Sequence, residues 1–138
     1  MIIDAKDLIV GRLATFVAKQ ALMGNHIDIL NCDKAVISGE KHIILANYKE
    51  KMVVGQPKTG PFFHRKENMF VKRRIRGMLP HKQPKGREAF KRIKCYIGIP
   101  EEFQGKKFET VENANVKKLQ SLKYMTVENL CKLLRWKK

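Results

Sequence analysis

Three observations predict an α/β fold in which helices cover a parallel sheet. Apolar residues recur every fourth position in some stretches and every second position in others, the periods of helices and strands. Over the first half of the chain these stretches alternate in the order strand, helix, strand, helix, a connectivity that favours parallel strands with crossover helices. The 138 residues are 43% apolar, enough for one core, and the usual domain-size range leaves little room for two. Residues 1–138 are therefore read as one domain, with a basic segment at 65–94 and a C-terminal tail at 100–138.

Met1 to Asp4 opens as a strand with apolar continuation at Leu8 to Val10, and Gly11 turns the chain into a helix from about Arg12 to Met23. Leu13, Val17 and Ala21 set the inward stripe, Phe16 and Met23 widen it, and Gly24-Asn25 supplies a left-handed stop. Ile27 to Asn31 and Ala35 to Ile37 read as extended pieces. Ser38-Gly39-Glu40 then opens a second helix to about Met52, with Ile44, Tyr48 and Met52 four residues apart. Gly55, Pro57, Gly60 and Pro61 break residues 53–64 into an exposed loop.

From about Glu67 to Leu79 the chain reads as a third helix, and its faces follow at roughly 100° per residue. With Lys72 as zero, Val71, Ile75, Met78 and Leu79 fall between roughly −120° and −20°, a single apolar stripe. Arg76, Arg73 and Arg74 fall at roughly +40°, +100° and +200°, pointing away from that stripe. Pro80 ends the helix. His81 to Gly86 reads as a polar turn, Arg87 to Ile93 as a short basic helix with Ala89, Phe90 and Ile93 inward, and Lys94 to Ile99 as a final strand. A small helix near Val127 to Leu134 offers Leu130, Leu133 and Leu134 to a partner surface.

Charge is the most uneven property of the chain. Its formal net charge is +16, and the thirty residues from Arg65 to Lys94 hold twelve Lys or Arg against only Glu67 and Glu88. Residues 1–52, with seven basic and six acidic side chains, are nearly balanced. An ordinary solvated helix face mixes signs through pairs four apart, whereas this segment keeps one sign. That is the footprint of a polyanion-binding surface, on which phosphates neutralise the patch and release counterions. A basic helix lying on a membrane needs a wide face of Trp, Phe and Leu opposite its charges, and the apolar stripe here is too narrow.

Several chemistries find little support. No run reaches the roughly 18 to 20 apolar residues of a membrane span, and Met1-Ile2-Ile3-Asp4 lacks the basic and apolar regions of an export signal. Cys32, Cys95 and Cys131 are odd in number and far apart, which suggests neither a disulfide framework nor a zinc site and fits reduced thiols in the cytoplasm. His26, His42, His64 and His81 show no ligand spacing, so no metal is expected. Gly11-Arg12 at a helix start resembles an anion site, but the further glycines of a dinucleotide or phosphate loop are missing. No cofactor and no small-molecule substrate are expected, and an enzyme acting on nucleic acid would have only this strand-Gly-helix opening in its favour. Arg12 stays free to reach a phosphate.

The loop tip Lys58, Phe62, Phe63 and His64 has two readings: rings that stack on an unpaired base, or rings that pin the loop to the core. His64 and His81 are equally open as phosphate donors or plain loop residues. Cys95, in an alternating strand, reads as a small buried residue.

Arg73-Arg74-Ile75-Arg76-Gly77-Met78-Leu79-Pro80 and Lys85-Gly86-Arg87-Glu88-Ala89-Phe90-Lys91-Arg92-Ile93-Lys94-Cys95-Tyr96-Ile97-Gly98 closely resemble the signature region of the universal large-subunit ribosomal protein number thirteen family. Ile3-Asp4-Ala5, Gly11-Arg12-Leu13-Ala14 and Val36-Ile37-Ser38-Gly39 agree with it, so the resemblance runs in order over nearly the whole chain. The wording is closer to the archaeal and eukaryotic branch, and the short C-terminus points to an archaeon or a reduced eukaryote.

The resemblance implies a three-layer α/β/α domain around a small, mainly parallel sheet of about four strands. It implies a non-enzymatic structural constituent of the large ribosomal subunit that binds and organises large-subunit rRNA, beside neighbouring large-subunit ribosomal proteins. By position it marks Arg73, Arg74, Arg76, Lys85, Arg87, Lys91 and Arg92 as RNA-facing, with Gly77 and Gly86 as backbone residues of the same motifs. Arg12, Lys58, His64, Arg65, Lys72 and Lys82 join them as candidate rRNA contacts.

Overall fold

In the computed structural model, which describes residues 1–135, strand β1 (Ile2–Asp4) leads into helix α1 (Val10–Leu22), strand β2 (Ile27–Leu30), strand β3 (Val36–Ser38) and helix α2 (Lys41–Val53). Helices α3 (Glu67–Gly77) and α4 (Pro84–Lys91) follow, then strands β4 (Ile93–Cys95) and β5 (Tyr124–Thr126) and helix α5 (Val127–Arg135). Strands β1, β2 and β4 form a parallel sheet in that spatial order, with Ile3 opposite Ile29 and Ile27 opposite Ile93. Those four isoleucines are completely buried. The α/β class and the mainly parallel sheet expected from the sequence are both present. The strand count differs in detail, because β3 pairs antiparallel with β5 in a second, two-stranded sheet. Strand β5 was missed because its three residues carry too short a period to read.

Gly11 does not make the first turn. The chain turns at Ala5–Leu8, where the Leu8 N–H donates to the Ala5 carbonyl and Asp7 takes φ 57°, and extended Ile9 then opens α1 directly. Gly11 is an ordinary residue of the first helical turn. Leu13, Val17 and Ala21 face the core as expected, whereas Met23 is 63% exposed, because the helix has ended at Leu22. The stop is the expected one: Gly24, at φ 100°, donates to the Ala21 carbonyl, a left-handed exit that glycine adopts at little steric cost.

Helix α3 packs against α1 and β4 through Phe70, Val71 and Ile75. Leu79 is buried just beyond it, but Met78 is 45% exposed, because it caps a helix that stops at Gly77 and the helical count no longer applies. Helix α4 starts at Pro84, three residues earlier than expected, since proline is preorganised for the first helical position. Its inward residues are Gly86, Ala89 and half-buried Phe90. Ile93 belongs to β4, and that strand ends at Cys95. Gly98, at φ 66°, turns the chain, so Ile97 and Ile99 point outward and the expected strand to Ile99 is cut short. In α5, Val127, Leu130, Cys131 and Leu134 join the common core while Leu133 is exposed. Of the leucines expected to seek a partner, two find it within the chain, since α5 packs on α2, α3 and the short turn at Cys32–Lys34.

Candidate nucleic-acid interface

Helices α3 and α4 carry the basic segment, and their apolar residues decide which cations reach the surface. With Phe70, Val71 and Ile75 inward on α3, Arg73 is exposed and Lys72 and Arg76 are half-buried. With Gly86 and Ala89 inward on α4, Lys85, Arg87 and Lys91 are exposed, as is Lys82 in the connection. The two helices meet where the Lys72 ammonium lies 5.0 Å from the centre of the Phe90 ring. A shallow hollow lined by His64, Lys72, Arg73 and Arg76 reaches Phe90 of α4, so the cations of α3 border the start of the α4 packing.

Of the two acids of the segment, one is withdrawn from the surface. Glu67 is 95% buried, its accessible fraction being 5%, and its carboxylate accepts from the Arg135 guanidinium of α5 at 2.7 Å. Arg135 also donates to the Arg65 carbonyl at 3.0 Å, tying the entrance of α3 to α5, and Arg65 is half-buried. Glu88 lies on the exposed side of α4, 3.9 Å from Arg92.

Three expected contacts sit differently from the sequence reading. Arg74 is half-buried at the cleft beside Arg73: it donates to the Tyr48 hydroxyl and stacks over the rings of Tyr48 and Phe70, 5.1 and 5.3 Å from their centres. Burial raises the Tyr48 hydroxyl pKa, with the Arg74 charge opposing the rise. Arg92 donates to the Ala21 carbonyl at 3.2 Å, where a cation satisfies the last turn of α1. Arg12 is exposed on α1, away from the basic helices in sequence, and donates to the Asn113 carbonyl at 3.2 Å, so it is tethered and not free.

The loop 54–66 settles its two phenylalanines separately. Phe63 packs 5.5 Å from Tyr48 and 6.1 Å from Phe70, centre to centre, and thereby pins the loop. Phe62 is 71% exposed. Lys58 and His64 are exposed on the same loop, and half-buried His81 stands in the α3–α4 connection. Lys51, which the sequence did not single out, reaches over the Tyr48 ring at 5.4 Å and lines a cleft of about 360 Å³ with Phe62, Phe63, His64, Phe70 and Arg73. Its position near the end of α2, one turn beyond Tyr48, was the available signal.

Cys95 is half-buried, not fully buried as expected, beside Cys32. Among the described residues, no group of three or more His, Cys, Asp or Glu is placed to hold a metal, and no helix is long and apolar enough to cross a membrane.

Fold and surface define a small α/β protein with a strongly cationic helical segment, the charge pattern of polyanion-binding proteins. The chain matches the family model described as Ribosomal protein L13 over residues 1–102, and it belongs to that family. It is similar to the large ribosomal subunit protein uL13 of Archaeoglobus fulgidus, at 41% identity over 96% of this chain and 86% of the relative. The proteins of the same name from Methanococcoides burtonii and Methanocaldococcus jannaschii are 42% and 43% identical, each over 96% of both chains.

Proposed function

We propose that this chain is a structural constituent of the large ribosomal subunit, acting as one domain over residues 1–138, that binds and organises large-subunit rRNA during assembly and in translation. Its place is the cytoplasm, within that subunit, beside neighbouring large-subunit proteins. Family membership supports the structural, non-enzymatic role. The observation that carries RNA binding is the run of exposed cations on α3, α4 and their connection, Arg73, Lys82, Lys85, Arg87 and Lys91, with Glu67 withdrawn into the fold. Such a surface contacts phosphates by charge and shape, the usual mode for structured RNA.

Sedimentation of a cell lysate at moderate salt tests the reading: the protein travels with the large subunit. Recovery as free protein, or with the small subunit, overturns it. With purified rRNA, affinity falls by orders of magnitude between about 50 and 200 mM salt if several phosphates are held, and a flat salt response counts against the phosphate-binding surface.

A further inference from the structure

The cleft beside the basic helices has a lining that phosphate binding does not require. The buried Phe70, packed edge to face on Phe63 and overlain by Arg74, is its floor, exposed Phe62 is its outer wall, and Lys51, Arg73 and His64 complete the lining. A purely phosphate-binding surface gains nothing from an aromatic wall. Phe62 lies close to the backbone of its own loop. Gly60, at φ 82°, lies so close to the Phe62 ring that a Cβ there would come within 3.1 Å of the ring edge, and Gly55 approaches the Gly60 carbonyl so tightly that its own Cβ would overlap it at 2.1 Å. Two glycines thus close the loop and let the backbone support one side of a ring whose remaining surface is open.

We propose that this cleft takes a single unpaired nucleobase of the bound RNA, stacked on Phe62 over the Phe63–Phe70 floor, with Lys51 and Arg73 holding the flanking phosphates. The inference rests on the RNA-binding reading above and adds a base-accepting site to it. Charge complementarity selects the occupant: a planar, π-faced group joined on both sides to anions matches an aromatic slot with cations in its lining. An apolar protein side chain would leave those cations without partners. Because every base has a π-face, the site accepts any of the four with modest preference.

The experiment compares two decamers of equal charge, oligoadenylate and its abasic sugar-phosphate counterpart, titrated against the full chain across a salt series. The expected result is parallel salt slopes, with the base-bearing strand bound roughly 5- to 150-fold more tightly, the range for stacking one base. Phe62→Ala removes that difference and leaves the slopes and the circular dichroism spectrum unchanged, while Phe62→Trp preserves it. Equal affinity of the wild type for the two decamers overturns the base site and leaves the phosphate surface standing. Loss of salt dependence for both strands overturns the RNA-binding reading itself. A Phe62→Ala protein that retains full base discrimination yet fails to enter large subunits in the cell also overturns the proposal, by assigning Phe62 to a neighbouring protein.

Discussion

The guanidinium of Arg74 donates to the hydroxyl of Tyr48, twenty-six residues earlier, and lies over its ring. The contact joins α3 to α2 and makes a residue of the basic motif part of the packing. Arg74→Ala removes a charge-assisted hydrogen bond and two ring contacts and leaves the half-buried Tyr48 hydroxyl without its partner. It is expected to cost about 1 to 3 kcal/mol, while exposed Arg73→Ala stays within about 0.5 kcal/mol. Urea melts without RNA compare them. Equal midpoints would mean that solvent replaces the Arg74 contact at no cost.

Ile75 sets the scale for that comparison. Its side chain is completely buried against the sheet, and Ile75→Ala is expected to cost about 2 to 5 kcal/mol, the usual range for a truncated buried aliphatic. The same melts rank Ile75→Ala above Arg74→Ala and both above Arg73→Ala. A mild Ile75→Ala would mean that the surrounding core collapses into the space.

Gly86 carries a different constraint. A Cβ at this position would lie 2.1 Å from the Pro80 carbonyl oxygen and 2.3 Å from its carbon, so the start of α4 touches the backbone of the α3–α4 connection directly. Alanine improves intrinsic helix propensity by about 1 kcal/mol, but here the backbones must separate. Gly86→Ala is expected to be net destabilising, by about 1 to 3 kcal/mol, in thermal or urea melts. A raised melting temperature would show that α4 can move away from Pro80 freely.

The thiols provide a test at alkaline pH. A hydrogen bond with Cys95, followed by burial, holds the Cys32 pKa far above its ordinary value, and burial pushes Cys131 up to about 12 from 9.0. Raised pKa values mean that folding favours the protonated thiols. The stability this adds for Cys131 is fully present below pH 9.0 and is lost as pH rises toward about 12. Because thiolate is the reactive form, iodoacetamide at pH 8 should leave both residues largely unmodified in the native protein and label them on unfolding in guanidinium. Rapid native labelling of Cys131, read by peptide mass, would contradict its burial on the inner side of α5.

The elements that were legible in the sequence are those with a sustained period. Leu13, Val17 and Ala21 place α1, and Ile44 with Tyr48 places α2, because four-residue spacing survives any choice of partner. The short strands were not legible in the same way: β5 has three residues, and the exposed Ile97 and Ile99 imitate the alternation of a strand that Gly98 interrupts. Arg74 failed for another reason. The wheel treated α3 as packed along one stripe, yet Phe70 falls at roughly +160° on the same count, beside Arg74, and marks a second buried side. Its partner Tyr48 belongs to another helix, which no local period reveals. The sign and location of the charged surface were plain in the sequence, but the internal tasks of Glu67 and Arg92 depend on Arg135 and the Ala21 carbonyl, which only the fold brings near.

That division between surface cations and tethered ones gives the sharpest test of the interface. Arg73 is exposed at the edge of both the shallow hollow and the aromatic cleft, whereas Arg92 is spent on the last turn of α1 and on Glu88. If Arg73 holds one phosphate, Arg73→Ala weakens binding to large-subunit rRNA and lowers the magnitude of the salt slope by roughly one unit, with the melt unchanged. Arg92→Ala is expected to act the other way, lowering stability by roughly 0.5 to 2 kcal/mol through loss of the charged donor to a carbonyl that then keeps only the Gly24 N–H, with the slope retained under conditions where the variant remains folded. Filter binding over a salt series, beside urea melts of the same preparations, separates the two. A reduced slope for Arg92→Ala with native stability would place Arg92 among the phosphate contacts and detach it from its structural role at the end of α1.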